Sequence, residues 1–127
     1  MADFNDTNRA IYLQIADEIC DRVLQHSLLP DERVPSVREY AATVMVNVNT
    51  VNRAYDHLSS LGVLYNKRGL GYFIASDAEE RMARRRLDEY LDGGGFDRIF
   101  KQWHMLGIDP AYVSTLYSEY IQKHPKQ

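Results

Sequence analysis

The 127-residue chain is long enough for one ordinary domain, or for one small domain with an appendage. Hydrophobic residues make up 45% and charged residues 26%, the balance of a soluble globular protein, and the longest apolar run falls far short of the ~20 residues that a membrane span needs. We therefore expect a cytoplasmic protein with no membrane partner, and the single cysteine, Cys20, excludes an intrachain disulfide.

The net charge of −3 argues mildly against a nucleic-acid partner, but the charge is unevenly distributed. Residues 33–75 contain five basic and two acidic side chains, which gives this segment a local charge of +3. Because salt screens charges beyond about 8 Å at physiological ionic strength, local charge near a phosphate matters more than the total. The five basic residues are Arg33, Arg38, Arg53, Lys67 and Arg68.

Two helices are predicted at the start of the chain. Isoleucine and valine recur every fourth residue along a helix predicted over residues 9–26. Ser36 and Glu39 have the spacing of a capping box, in which each side chain accepts a hydrogen bond from the backbone of the other. This box predicts a short second helix over residues 37–44.

A third helix and a β-hairpin follow. Asn47 is a good N-cap for the third helix, and Gly62 stands where a helix C-terminal glycine belongs. Two β-prone runs, at residues 63–66 and 72–75, flank the basic, glycine-bearing segment 67–71. Three helices followed by a hairpin is the element order of a winged helix-turn-helix.

We therefore assign residues 9–75 to a winged helix-turn-helix domain that binds DNA. In this motif the second helix of the pair lies in the major groove, where asparagine can pair with adenine and arginine with guanine. A cationic turn containing glycine can approach a narrow groove closely. The DNA-binding residues predicted from these patterns are Arg38, Asn49, Thr50, Asn52, Arg53, Lys67, Arg68 and Gly69.

Residues 76–127 are predicted to form an all-helical tail. A glycine run at residues 93–95 ends the first of its three helices, and Asp109 and Pro110 open the last, because proline is favoured at the first helical position. A segment this short is marginal as a lone core. We also expect it to be too small to enclose a ligand pocket, since such pockets run to ~300 Å³ or more.

Large apolar side chains recur along this tail, and leaving them exposed to solvent is unfavourable. A second copy of the chain can bury them in an interface, which predicts a homodimer. The alternative is that the apolar stripe packs against the winged helix of its own chain. The predicted dimerisation residues are Leu87, Tyr90, Phe96, Phe100, Trp103, Leu116, Tyr117 and Tyr120.

Four motifs and two glycines of the hairpin occur in an order and spacing that resembles the GntR family of bacterial regulators. The motifs lie at residues 11–15, 34–41, 46–51 and 53–55, and the glycines are Gly69 and Gly71. The resemblance implies a DNA-binding repressor that acts as a homodimer on a near-palindromic operator. The short tail resembles that of the YtrA subfamily, whose tail mainly dimerises. The resemblance implies that the family's DNA contacts are made here by Ser36, Arg38, Asn49, Thr50, Arg53, Arg68 and Gly69. Asn47 then lies in the turn between the second and third helices and caps the third.

Two other functions are weighed against this one. An enzyme is disfavoured because the four histidines are scattered without zinc spacing and the glycine clusters lack a phosphate-binding pattern, so we predict no catalytic residue, metal site or cofactor. A winged helix used only for protein contacts is the second alternative, since fold does not fix function. The polar, cation-bearing face of the third helix favours DNA over a protein surface. The sequence identifies no small-molecule effector.

Overall fold

The computed structural model describes residues 9–126. Over this range the chain forms six helices and one antiparallel hairpin, which confirms the predicted mainly α fold of three helices, a hairpin and a helical tail. The elements are α1 (Ile11–Leu24), α2 (Val37–Val44), α3 (Val48–Ser60), β1 (Leu64–Lys67), β2 (Gly71–Ile74), α4 (Ala78–Asp92), α5 (Gly95–Met105) and α6 (Pro110–Lys123).

The chain divides into two compact units, the first ending at Met82 and the second beginning at Ala83. The first unit contains the three N-terminal helices and the hairpin. Ala78 and Met82, at the start of α4, are also buried in its core. This core therefore takes in the beginning of α4, which the sequence assigned to the tail starting at residue 76.

An apolar stripe fixes the orientation of α3 within the first unit. Val51, Tyr55 and Leu58 have no exposed surface and belong to the core that α1 and α2 complete. Because residues three and four apart share one face of an α-helix, burial of this stripe turns Asn49 and Asn52 away from the core. The packing of α3 thus leaves its polar face in solvent.

The hairpin is anchored at one end and projects at the other. Leu64 lies opposite Ile74 at its base, and both side chains are buried. A β-bridge between Arg33 and Phe73 fastens the outer edge of β2 to the segment that precedes α2. The turn at residues 68–70, by contrast, is exposed.

The predicted capping box at the start of α2 is confirmed. The Ser36 Oγ accepts a hydrogen bond from the backbone N–H of Glu39 at 3.1 Å, and the Glu39 Oε1 accepts one from the backbone N–H of Ser36 at 3.2 Å. Hydrogen bonding of the Glu39 carboxylate with the Ser36 side chain and with the Ser36 backbone N–H favours its charged form and lowers the pKa of Glu39 from its ordinary value. The box sets where α2 begins, and so where the helix pair begins.

Replacing Ser36 with alanine is expected to lower the free energy of unfolding by about 1 kcal/mol, because the Glu39 N–H loses its acceptor. Urea denaturation followed by circular dichroism measures this change. Ser114→Ala, at an exposed position of α6, is the matched control and should stay within about 0.5 kcal/mol of the unmodified chain. Equal effects of the two substitutions would contradict the capping role.

Two buried tyrosines differ in the partners of their hydroxyl groups. The Tyr55 hydroxyl donates a hydrogen bond to the carbonyl oxygen of Pro35 at 2.7 Å and so ties α3 to the segment before α2. Burial raises the pKa of Tyr55 above its ordinary value, which keeps the donor protonated. The Tyr40 hydroxyl is buried without a hydrogen-bond partner among residues 9–126.

The two tyrosine-to-phenylalanine substitutions are therefore expected to behave differently. Tyr55→Phe removes a hydrogen bond and leaves the Pro35 carbonyl without that donor, which should lower the free energy of unfolding by about 1 kcal/mol. Tyr40→Phe removes a hydroxyl that has no described partner and should be neutral or slightly stabilising. Chemical denaturation of both variants measures the difference, and the reverse order would show that the Tyr55 bond adds nothing.

The second unit consists of the remainder of α4 together with α5 and α6. None of the residues of α5 or α6 is buried. The rings of Tyr90, Phe96, Phe100 and Trp103 follow one another with centroid separations of 5.2, 5.7 and 5.8 Å. This unit therefore keeps a row of aromatic side chains at the surface of the single chain.

An apolar cleft of about 340 Å³ lies along α5, α6 and the turn that joins them. The sequence predicts that the tail is too small to enclose a ligand pocket. The cleft is open, because Phe100 is half exposed and His104 is exposed, so the small unit does not enclose it. Its lining residues are Phe100, Trp103, His104, Ile108, Pro110 and Val113.

Candidate nucleic-acid interface

The first turns of α3 present a row of polar side chains. Asn47 Oδ1 accepts a hydrogen bond from the backbone N–H of Asn49 at 2.7 Å, so Asn47 caps the helix as predicted. Asn49 and Asn52 are exposed and lie one turn apart, while Thr50 is half buried beside them. Each carboxamide offers both a donor and an acceptor, the combination that a base edge in the major groove requires.

Two arginines near α2 have different surroundings. Arg33 pairs with the Glu39 carboxylate at 3.8 Å, and its Nε donates a hydrogen bond to the Leu70 carbonyl at 3.1 Å, so it braces the hairpin turn. Arg38 is exposed and forms no ion pair within residues 9–126. Ser36 is half buried; its oxygen accepts the capping bond, and its hydroxyl hydrogen can still donate to a phosphate.

The turn between β1 and β2 carries the cationic tip of the wing. Gly69 has a φ of +80°, the left-handed conformation that favours glycine, and no atom lies within 4 Å of the place a Cβ would take. The Lys67 Nζ lies 4.8 Å from the centroid of the Phe73 ring, so Lys67 folds back along the hairpin. Arg68 and Gly69 therefore form the exposed tip.

Arg53 is exposed, as predicted, but it does not extend freely from α3. Its Cζ lies 4.1 Å from the centroid of the Tyr12 ring, on α1. Helical periodicity places Tyr12 beside the apolar stripe of α1 and gives no sign of this contact. Tyr12 joins the candidate interface as a residue that touches one of its predicted members.

Ion pairing separates the arginines of the candidate interface from the other arginines described in the first unit. Within residues 9–126, Arg38, Arg53 and Arg68 are exposed and have no carboxylate within 4 Å. Cations without a protein counter-charge remain available to phosphates, whose neutralisation supplies much of the affinity for DNA. The arginines that do face a carboxylate are Arg9, Arg22, Arg33, Arg81 and Arg85.

The predicted dimerisation residues lie on the surface of the second unit. Phe96 and Trp103 are half buried, and the other six are exposed, with Tyr117 at 66% and Tyr120 at 62%. Further large apolar residues of this unit, outside the predicted dimerisation set, are also exposed. These are Leu91, Ile99, Met105, Leu106, Tyr112 and Ile121.

The described residues hold neither a metal-binding cluster nor a membrane-spanning helix. Between residues 9 and 126, no cluster of three His, Cys, Asp or Glu side chains is arranged to hold a metal ion. None of the helices described there has the length and apolarity to cross a membrane. The polar face of α3 and the wing are the candidate nucleic-acid interface of the first unit.

Comparison with known proteins identifies the family to which a chain with this surface belongs. Residues 11–74 match the family described as bacterial regulatory proteins, gntR family. The chain belongs to the GntR family. Members of this family are DNA-binding transcription regulators, so this GntR chain is one as well, and it is not an enzyme. The family resemblance predicted from the sequence motifs is confirmed.

The similarity to GntR regulators extends past the winged helix. The transcriptional regulator YhcF of Bacillus subtilis is 39% identical over 80% of this chain and 82% of YhcF. The transcriptional repressor YtrA of Bacillus subtilis is 32% identical over 83% of this chain and 74% of YtrA. A GntR-family regulator structure from Bacteroides thetaiotaomicron, 45% identical, covers 90% of this chain and 98% of its own with a TM-score of 0.65.

Proposed function

We propose that this GntR regulator is a homodimeric repressor that binds a near-palindromic operator through α3 and the wing. The observation that carries the proposal is the exposed row of Asn49 and Asn52 on α3, flanked by arginines that have no described ion pair. An α-helix fits the major groove, and polar side chains near its N-terminus can reach base edges there. The function places the protein in the cytoplasm with the bacterial chromosome.

The contacts divide by chemistry into base readers and phosphate binders. Asn49 and Asn52 have carboxamides that can pair bidentately with adenine, and these supply the sequence preference. Thr50 and Ser36 have hydroxyl groups suited to phosphate oxygens. Arg38 lies on α2, the helix that crosses the backbone in a helix-turn-helix, and it adds a phosphate contact.

The wing forms a second contact in the adjacent minor groove. Arg68 stands at the exposed tip, where the negative potential of a narrow minor groove attracts cations. Gly69 lets the main chain approach the groove closely because it has no side chain. Lys67, held over the Phe73 ring, contributes positive charge behind the tip.

The second unit supplies the dimer contact in this proposal. Leu116, Tyr117 and Tyr120 on α6 and Phe100 on α5 are each about half exposed or more in the single chain. Such a collection of apolar surface is typical of an interface, and a two-fold partner presents the same surface in return. A two-fold dimer also places one α3 at each half of a palindrome, with half-sites about 34 Å apart.

Repression is the regulatory direction that the relatives support. YtrA of Bacillus subtilis, which resembles this chain over most of both lengths, is named a transcriptional repressor. A dimer that covers one or two turns of promoter DNA can block polymerase without any further domain. We therefore assign repression rather than activation to this protein.

Titration of a duplex from the gene's own upstream region tests the proposal. The chain should bind it with a Kd of about 10⁻⁸ M or tighter at physiological salt, and far more weakly to an unrelated duplex of equal length. Several phosphate contacts should make the affinity fall by about 10³-fold or more between 50 and 200 mM salt. Equal affinity for both duplexes would overturn the sequence-specific function.

Arg68→Ala is expected to weaken binding to every duplex alike. Loss of one phosphate or groove cation should reduce the slope of log K against log salt by about 1 without changing the preference for the operator. Arg98→Ala, an exposed arginine of α5, is the matched control and should leave the slope unchanged. A change of preference at a single base pair would show instead that Arg68 reads sequence.

A further inference from the structure

We propose that Tyr12 is a positioning residue for DNA binding, and that it holds the Arg53 guanidinium for a backbone phosphate rather than a base. This inference rests on the proposed function and assigns two of its contacts. The sequence pattern predicted that Arg53 reads guanine from the polar face of α3. The contact that Arg53 makes with α1 leads to a different role.

The aromatic ring of Tyr12 meets two side chains of α3. The Arg53 Cζ lies 4.1 Å from the ring centroid, a separation at which the guanidinium is attracted to the ring face. The His57 ring meets Tyr12 edge-on, with centroids 6.0 Å apart and planes at 88°. Because Arg53 and His57 are one helical turn apart, the Tyr12 ring is fixed between two successive turns of α3.

This contact draws Arg53 to one flank of α3. The helix α1 packs against the buried side of α3. Because the Arg53 guanidinium contacts Tyr12 on α1, it lies back from the direction in which Asn49 and Asn52 project. Base edges lie on the floor of the groove that receives α3, whereas phosphates line its walls. The position of the guanidinium therefore suits a phosphate on the groove wall.

The chemistry of a guanidinium held over an aromatic ring supports the same assignment. The group has five N–H donors, and an attraction to the ring face uses no acceptor, so donors remain for a phosphate. Two parallel N–H donors match two phosphate oxygens. Arg53 has no carboxylate within 4 Å in the described part of the chain, so its charge is not neutralised there.

The test compares Tyr12→Leu, Tyr12→Phe and Arg53→Ala on an operator selected from random DNA, over a range of salt concentrations. Tyr12→Leu removes the aromatic face and should raise the Kd about two- to fivefold, the size of an exposed cation–π contact. Tyr12→Phe keeps the ring and should bind within about twofold of the unmodified chain. In the Arg53→Ala background, Tyr12→Leu should have no further effect, because the pair acts as one unit.

Arg53→Ala also separates a phosphate contact from a base contact. It should reduce the slope of log K against log salt by about 0.9 and leave the ranking of single-base operator variants unchanged. A lost preference at one base pair would overturn the phosphate assignment. This readout does not depend on whether Tyr12→Leu folds, and thermal unfolding of each variant reports folding independently.

The outcomes also distinguish this inference from the proposed function. If the unmodified chain selects no duplex from the random pool, the proposed function fails. If it selects an operator and folded Tyr12→Leu binds as tightly as the unmodified chain, only the positioning role of Tyr12 fails. Equal losses for Tyr12→Phe and Tyr12→Leu would likewise overturn it, because the ring would then not be what matters.

Discussion

Replacing Asn49 and Asn52 together with alanine is expected to remove most of the preference of this protein for its operator. A bidentate side chain–base contact discriminates by about 1–3 kcal/mol, so each single substitution should weaken operator binding by that amount. The double substitution should weaken it by about 2–6 kcal/mol if the two contacts add. Binding to unrelated DNA should hardly change, since neither carboxamide carries a charge.

Fluorescence anisotropy with operator and unrelated duplexes measures both affinities. Gln25→Ala removes an exposed carboxamide at the end of α1 and is the matched control, with no change expected on either duplex. Asn49 also donates its backbone N–H to the Asn47 cap, but alanine keeps that N–H, so the helix start should be preserved. A double variant that keeps its operator preference would mean that another surface reads the sequence.

Replacing Phe100 and Trp103 together with alanine is expected to convert the proposed dimer into monomers at micromolar concentration. The two rings are adjacent, with centroids 5.8 Å apart, in the row of aromatics at the surface of the second unit. Aromatic residues near the centre of an interface commonly cost about 2 kcal/mol or more each when truncated. Operator affinity should fall by about 10²-fold or more, because two linked half-sites bind far more tightly than one.

Sedimentation velocity and operator titration of the same preparation test this expectation. Leu29→Ala, which removes an exposed apolar side chain from the first unit, is the control and should leave both the oligomeric state and the affinity unchanged. Circular dichroism shows whether the double variant keeps its helices. A monomeric unmodified chain at micromolar concentration would contradict the dimer, whatever the variant does.

Local sequence patterns were sufficient to predict the elements that make up the fold. The capping box of Ser36 and Glu39 forms between residues three apart, so its spacing alone locates the start of α2. The stripe of Val51, Tyr55 and Leu58 is likewise a property of one helix, and it determines which face of α3 is exposed. Polar residues opposite such a stripe are therefore predictable as surface residues.

Contacts between distant segments could not be predicted in the same way. Helical periodicity indicates that Tyr12 lies near the apolar side of α1, but not that its ring receives the Arg53 guanidinium from another helix. The bracing of the Leu70 carbonyl by Arg33 also depends on how the hairpin folds back toward α2. A single sequence contains no pairwise signal for either contact, because each joins residues that are far apart in the chain.

The cleft of the tail was missed for a different reason. The estimate from chain length concerned an enclosed cavity, for which a tail of this size has too few residues to form walls on all sides. An open cleft needs only two helices and the turn that joins them. Trp103, Pro110 and Val113 form part of it along α5 and α6 without closing it.

Replacing the ring nitrogen N7 of the operator's adenines with carbon tests the central claim most directly. This change removes an acceptor from the major groove while it leaves the charge of the phosphates and the Watson–Crick edges unchanged. If Asn49 and Asn52 pair with adenines there, the modified duplex should bind more weakly by about 1 kcal/mol or more per contacted adenine, and the double alanine variant should not distinguish the two duplexes. Equal binding of the unmodified chain to both duplexes would contradict major-groove reading of adenine by α3.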